Sequence, residues 1–179
     1  MRRLHLRLAV CLALLFTGGA HAADLDIKAF YGEFRGGGVA ENADSVYFGV
    51  TARDFDVVIA PDGNGFKVTW TSVIRSGGTP GNPDVRRKSA ALVFEPTARA
   101  GIWRARNSAD PVTGGQVGWA HIRNNTLSVY LMVVRDDGRY ELQQYDRTIM
   151  PTGMELVFTR LRNGEEVRTV KGRLVKVAN

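Results

Sequence analysis

Apolar side chains recur at every second residue along much of this chain, and Phe66-Lys67-Val68-Thr69-Trp70 shows the pattern at its plainest. Extended to Ile74, the run puts Phe66, Val68, Trp70 and Ile74 on one face and Lys67, Thr69, Thr71 and Arg75 on the other. That is the spacing of a strand with one packed and one wet face, and no stretch of useful length carries the helical period of about 3.6 residues. Leu127, Val129, Leu131 and Val133 repeat it, while Tyr130, Met132 and Val134 make the opposite face partly apolar as well.

Turn chemistry separates the runs at Pro61-Asp62-Gly63-Asn64-Gly65, Arg123-Asn124-Asn125, Asp136-Asp137-Gly138 and Asn163-Gly164. Asn-Gly and Asp-Gly accept the positive φ angles of tight hairpins, so each marks an antiparallel reversal. Strands are expected at 27–35, 45–60 (one or two), 66–75, 86–95, 101–106, 116–122, 126–134, 139–146, 154–162 and 166–177. A meander this long curls until its edges meet. The expected fold is all-β, an antiparallel up-and-down meander of about 8–10 strands in a closed or nearly closed barrel.

Within 45–60 the apolar parity changes: Val46, Phe48 and Val50 are even, Phe55, Val57 and Ile59 odd. Either Arg53-Asp54 is a tight turn or a β-bulge there keeps one long strand facing inward, and the bulge is the reading adopted. It places three loops, Gly36–Asp44, Ser76–Asp84 and Asn107–Gly115, at one end of the barrel as a mouth.

The first 22 residues read as a cleaved secretion signal, with Arg2, Arg3 and Arg7 before the apolar run Leu8–Phe16 and small residues at Ala20 and Ala22. That apolar run is far shorter than the roughly 20 residues a membrane-spanning helix needs. Residues 23–179 then form a single barrel domain, periplasmic or secreted, with no transmembrane segment. Removing three arginines from the 24 Lys and Arg leaves 21 against 18 Asp and Glu, so the net charge falls from +6 to +3. Nothing in that balance calls for a nucleic acid partner.

The leader also holds the single cysteine, Cys11, and two of the three histidines, His5 and His21. A Ser-His-Asp site would have to use His121, and no Gly-x-Ser-x-Gly accompanies it. The carboxylate pairs Asp54/Asp56 and Asp136/Asp137 read as strand and turn residues rather than a glycosidase pair. Zinc, iron and copper sites lack ligands, and Asp62-Gly63-Asn64-Gly65 lacks the later acidic ligand of a calcium loop. A non-enzymatic protein without metal or cofactor is expected.

The segment Ala29-Phe30-Tyr31-Gly32-Glu33-Phe34 resembles the Gly-x-Trp of the opening lipocalin strand, with Phe34 in place of the tryptophan. By this resemblance the chain is similar to the calycin barrels, the group of lipocalins, fatty-acid-binding proteins and avidins. The resemblance implies a small apolar or amphipathic ligand held in the barrel, and a late basic residue such as Arg173 laid over the Phe34 ring. Candidates to contact that ligand are Trp70, Trp103, Trp119, His121, Tyr130 and Tyr145, with Tyr31, Tyr47 and Tyr140 as further aromatics. Arg86 and Arg87, followed by Lys88, are candidates to hold a phosphate or acidic glycan at the rim. Two other classes stay open. One is a loop-mediated protein or glycan binding module of the cell envelope, such as a hydrolase inhibitor. The other is a small outer-membrane barrel, opposed by Arg160, Arg162, Arg168, Lys171 and Arg173 in the last hairpin.

Overall fold

The computed structural model describes residues 23–42, 51–75 and 85–179; the leader lies outside them. Among the described residues, ten antiparallel strands follow in chain order: β1 (Gly32–Asn42), β2 (Thr51–Asp62), β3 (Gly65–Arg75), β4 (Val85–Pro96), β5 (Ile102–Ala105), β6 (Gln116–Arg123), β7 (Thr126–Val134), β8 (Tyr140–Met150), β9 (Gly153–Arg162) and β10 (Glu165–Ala178). Each pairs with its sequence neighbour, and β1 also pairs with β10, so the meander closes into a barrel. Four of the reversals fall where turn chemistry places them. Gly63, Asn124, Gly138, Asn163 and Gly164 all have positive φ.

One end of the barrel is sealed by the chain's own N-terminal stretch. The Leu25 N–H donates to the Asn124 carbonyl at 2.8 Å. A 3-10 turn over Ile27–Phe30, capped by Asp26, then sets a fully buried Phe30 into the core. Phe66 stacks on Phe94 at 5.0 Å and takes the edge of Trp103 at 5.4 Å. Phe34, Ile59, Val68, Leu127 and Met154 are buried in the same core. The opposite end is the mouth, where β1, β3, β5, β7 and β9 finish.

Three expectations need correction. The first strand does not begin at 27: residues 27–30 are the 3-10 turn, and β1 runs on to Asn42 through Gly36-Gly37-Gly38, a stretch read above as loop. Glycine carries no side chain to show a period of two, which is why the strand was invisible there. Arg53-Asp54 is neither a turn nor a bulge, because Gly38↔Arg53 and Gly37↔Asp54 on one side continue without slip as Arg53↔Ile74 and Asp54↔Val73 on the other. β2 begins at Thr51, and residues 43–50, with Val46, Tyr47 and Phe48, lie outside the described residues. β1, β3 and β5 all end at the mouth; of the stretches that follow them, 43–50 and 76–84 are not described.

Real bulges sit on β10. Val177 is passed over between the pairs Glu33↔Ala178 and Phe34↔Lys176, and Val167 between Glu166↔Leu161 and Arg168↔Arg160. The first raises the local twist where β1 meets β10, and the second does so between β10 and β9. Lys176, which pairs with Phe34, lies over its ring with Nζ 5.9 Å from the centroid, whereas Arg173 pairs with Gly37 on the outer face.

Candidate functional site

Above the packed core, the mouth half of the barrel encloses a cavity of about 440 Å³. Its walls come mainly from the inward positions of six strands, which alternate as a barrel requires, with Gln116 of β6 and Leu131 of β7 completing them. Arg53, Phe55 and Val57 come from β2, Trp70, Ser72 and Ile74 from β3, and Lys88, Ala90 and Leu92 from β4. Across the barrel stand Gln143, Tyr145 and Arg147 of β8, Leu156, Phe158 and Arg160 of β9, and Arg168 and Val170 of β10. Phe55 reaches inward because Gly172 leaves it room; a Cβ there would lie 3.1 Å from the Phe55 ring.

An aromatic layer crosses the cavity. Tyr145 lies 5.2 Å from Trp70 and 4.7 Å from Phe158, centroid to centroid. Beneath it sits Arg147, 1% exposed, with its guanidinium carbon 5.5 Å from the Tyr145 centroid and 5.8 Å from that of Trp70. Burial pushes this guanidinium down to about 10, against the pull of Tyr145 and Asp146, so it stays charged at neutral pH. Its Nε and Nη1 have no hydrogen-bond partner among the described residues. The same holds for Arg53 Nε and Ser72 Oγ nearer the mouth.

A second group of cations stands at the mouth. Arg53 is held below the usual arginine range by burial first and then by Arg168 and Arg160, and Arg168 by burial and then by Arg160 and Arg162. No Asp or Glu is among the described cavity-lining residues. Glu141, 6% exposed, partly neutralises this group, its carboxylate lying 3.3 Å from Arg160, 3.4 Å from Arg162 and 3.5 Å from Arg135. A hydrogen-bond chain leads from it down the inner face of β8. Gln143 Nε2 donates to Glu141 at 2.9 Å, and the Tyr145 hydroxyl donates to Gln143 Oε1 at 3.0 Å.

Burial alone would raise the Glu141 carboxyl, but Gln143, Arg160 and Arg162 together hold it below the usual carboxylate range. A depressed folded value means stability that is present above the unfolded pKa and lost as pH falls through the folded one. Glu141→Gln is therefore expected to cost about 1 kcal/mol at pH 7, and the difference from wild type to be smaller at pH 3. Urea denaturation at the two pH values checks this.

The sequence-derived candidates divide. Trp70 and Tyr145 line the cavity. Trp103 belongs to the core at the closed end, against Phe66. Trp119, His121 and Tyr130 are corrected to the outer face, because Gly118, Ala120 and Ile122 take the inward positions of β6. There Tyr130 stacks on Trp119 at 4.9 Å and on His121 at 5.6 Å, a cross-strand ladder that covers sheet surface. Arg86 and Arg87 are exposed near the start of β4, and Lys88 beside them is the one that lines the cavity. Tyr31 packs against the closed-end core, and Tyr140 is exposed where β8 begins. Asp56 pairs with Arg35 at 3.6 Å on the outer face, and Asp137 pairs with Arg139 in its turn.

Sequence reasoning missed the arginines. Arg53 shares parity with Phe55, Val57 and Ile59, and Arg160 with Met154, Leu156 and Phe158; carrying the alternation one step further would have placed both inside. Arg147 had no such signal, since the inward set of β8 is Glu141, Gln143, Tyr145 and Arg147.

No protein-family model matches the chain, and no curated protein does. Among solved structures, a protein of unknown function of the DUF3598 family from Nostoc punctiforme is similar, at 14% identity and a TM-score of 0.58 over 92% of this chain. An S-type phycobiliprotein lyase from Guillardia theta aligns at 9% identity and a TM-score of 0.38, over 86% of this chain and 91% of its own. The chain spans 54% of the length of the Nostoc protein, and what it shares with that protein is the fold.

Proposed function

We propose that this protein is an exported, non-enzymatic barrel that holds a small apolar or amphipathic molecule in its interior. The observation that carries the reading is the cavity of about 440 Å³ walled by Trp70, Tyr145, Phe158, Phe55 and Leu156 and open toward the mouth. It falls within the size range of small-molecule sites, and its composition, apolar walls with a few placed polar groups, is of the same kind. The N-terminal leader supports export. Charged pairs such as Arg35–Asp56 and the exposed Lys67, Lys171 and Arg173 on the outer face support an exterior in water, since such charges are costly against lipid.

Native mass spectrometry on protein purified from the envelope of its own host, before and after organic extraction, tests both parts. The expected result is a mature chain beginning at Ala23 that loses a small-molecule mass on extraction. A chain retaining its first 22 residues would sink the export reading. Protein that carries nothing, and whose Trp70 emission is unchanged by any lipid or aromatic amphiphile in a Trp103→Phe, Trp119→Phe background, would sink the ligand.

A further inference from the structure

Resting on that reading, we propose that the ligand carries an anionic oxyacid group, such as a carboxylate, that enters first and is received by Arg147 at the cavity floor. Arg147 is the deepest cation of the cavity and the most completely buried. Two of its nitrogens lack a partner among the described residues, a costly arrangement for a buried charge unless an acceptor arrives. The acid next to it in sequence does not serve. Asp146 faces the outer side of β8, where it accepts from Ser128 at 2.6 Å and Gln144 at 2.7 Å. The pairs Leu127↔Arg147 and Arg147↔Leu156 fix its level in the barrel.

The orientation follows from where space remains. Level with Arg147 and on its closed side, the core residues Leu127, Val68 and Met154 are at most 2% exposed and leave no room for a tail. On the mouth side stand Phe55, Leu131 and Phe158, which an apolar chain can cover. Arg160, which pairs with Gln143, stands four residues up the same ladder, about 13 Å along the strand. The rim arginines affect one another, whereas none of them contributes to the depressed titration of Arg147. The floor is thus a separate anion site. The rim cations draw an anion toward the mouth and govern how fast it enters rather than where it rests.

Calorimetric titration of the delipidated mature protein with dodecanoate and with 1-dodecanol tests this, because the two differ in the head alone. Dodecanoate is expected to bind at least tenfold more tightly than the alcohol. Arg147→Met should abolish that preference and bring the two affinities together. Arg147→Lys should restore part of it. Arg53→Gln should slow association and flatten its salt dependence while the preference persists. Equal binding of acid and alcohol by the wild type overturns the anion site and leaves the apolar-ligand reading standing. A preference that survives Arg147→Met but is lost in Arg53→Gln moves the head to the rim and overturns it as well. If neither compound binds while circular dichroism shows a folded barrel, both readings fall together.

Discussion

Arg147→Met is expected to make the ligand-free protein more stable, by about 1–3 kcal/mol, as it removes the proposed anion site. A guanidinium held near 10, well below the usual arginine range, has lost about 3 kcal/mol of its preference for the charged form. Contact with the rings of Trp70 and Tyr145 returns part of that. Methionine fills a similar volume, keeps favourable sulfur contacts with both rings, and leaves no buried N–H without an acceptor. Both folded and unfolded chains carry the charge below about pH 10, and the penalty fades only as pH rises from there toward the usual arginine range. The gain should therefore be equal at pH 6 and pH 9. Urea unfolding of delipidated wild type and variant measures it. If Arg147 were a structural residue, its loss would lower the midpoint. The opposite sign marks a group retained for what it binds.

Most of the architecture was legible because a barrel wall imposes a period of two, and residues such as Phe66, Val68 and Trp70 cannot satisfy that period any other way. Hairpins were equally readable, since Asn-Gly and Asp-Gly answer a backbone requirement at the turn itself. The site was harder to see for a reason that belongs to its chemistry. A cavity that holds a charged head must put polar residues on inward positions, and these interrupt the apolar pattern used to find the inward face. Arg160 and Arg168 were thus weighed as charges opposing a lipid-facing wall, whereas they point into the barrel. Trp119 and Tyr130 erred the other way: large aromatic rings suggested a lining, yet two rings directly opposite on paired strands also stabilise a sheet from outside.

Closure of the barrel depends on residues with no side chain, and Gly38→Val is expected to open the seam between β1 and β10. A Cβ at Gly38 would lie 2.1 Å from the Lys171 carbonyl oxygen and 2.7 Å from the Gly172 Cα, both fixed backbone atoms. Gly36 meets the same obstacle, at 1.9 Å from the Arg173 carbonyl oxygen. No change of rotamer relieves such a contact, so the two strands must separate and give up ladder bonds around the pair Gly38↔Gly172. The expected loss is about 3 kcal/mol or more. Gly37 provides the control, because a Cβ there meets its nearest atom at 3.4 Å on the outer side of the strand. Gly37→Ala should stay within about 1 kcal/mol of wild type. Hydrogen exchange locates the damage. In Gly38→Val the amides of β1 and β10 should lose protection first, while those of β6 to β8 keep theirs. If both variants lost the same stability, the seam would owe nothing to the close approach at Gly38. Ligand binding links the seam to the site, because β10 carries Arg168 and Val170 on the cavity wall and Gly172, which makes room for Phe55. An opened seam should therefore weaken acid and alcohol alike, which sets it apart from the head-selective loss expected at Arg147.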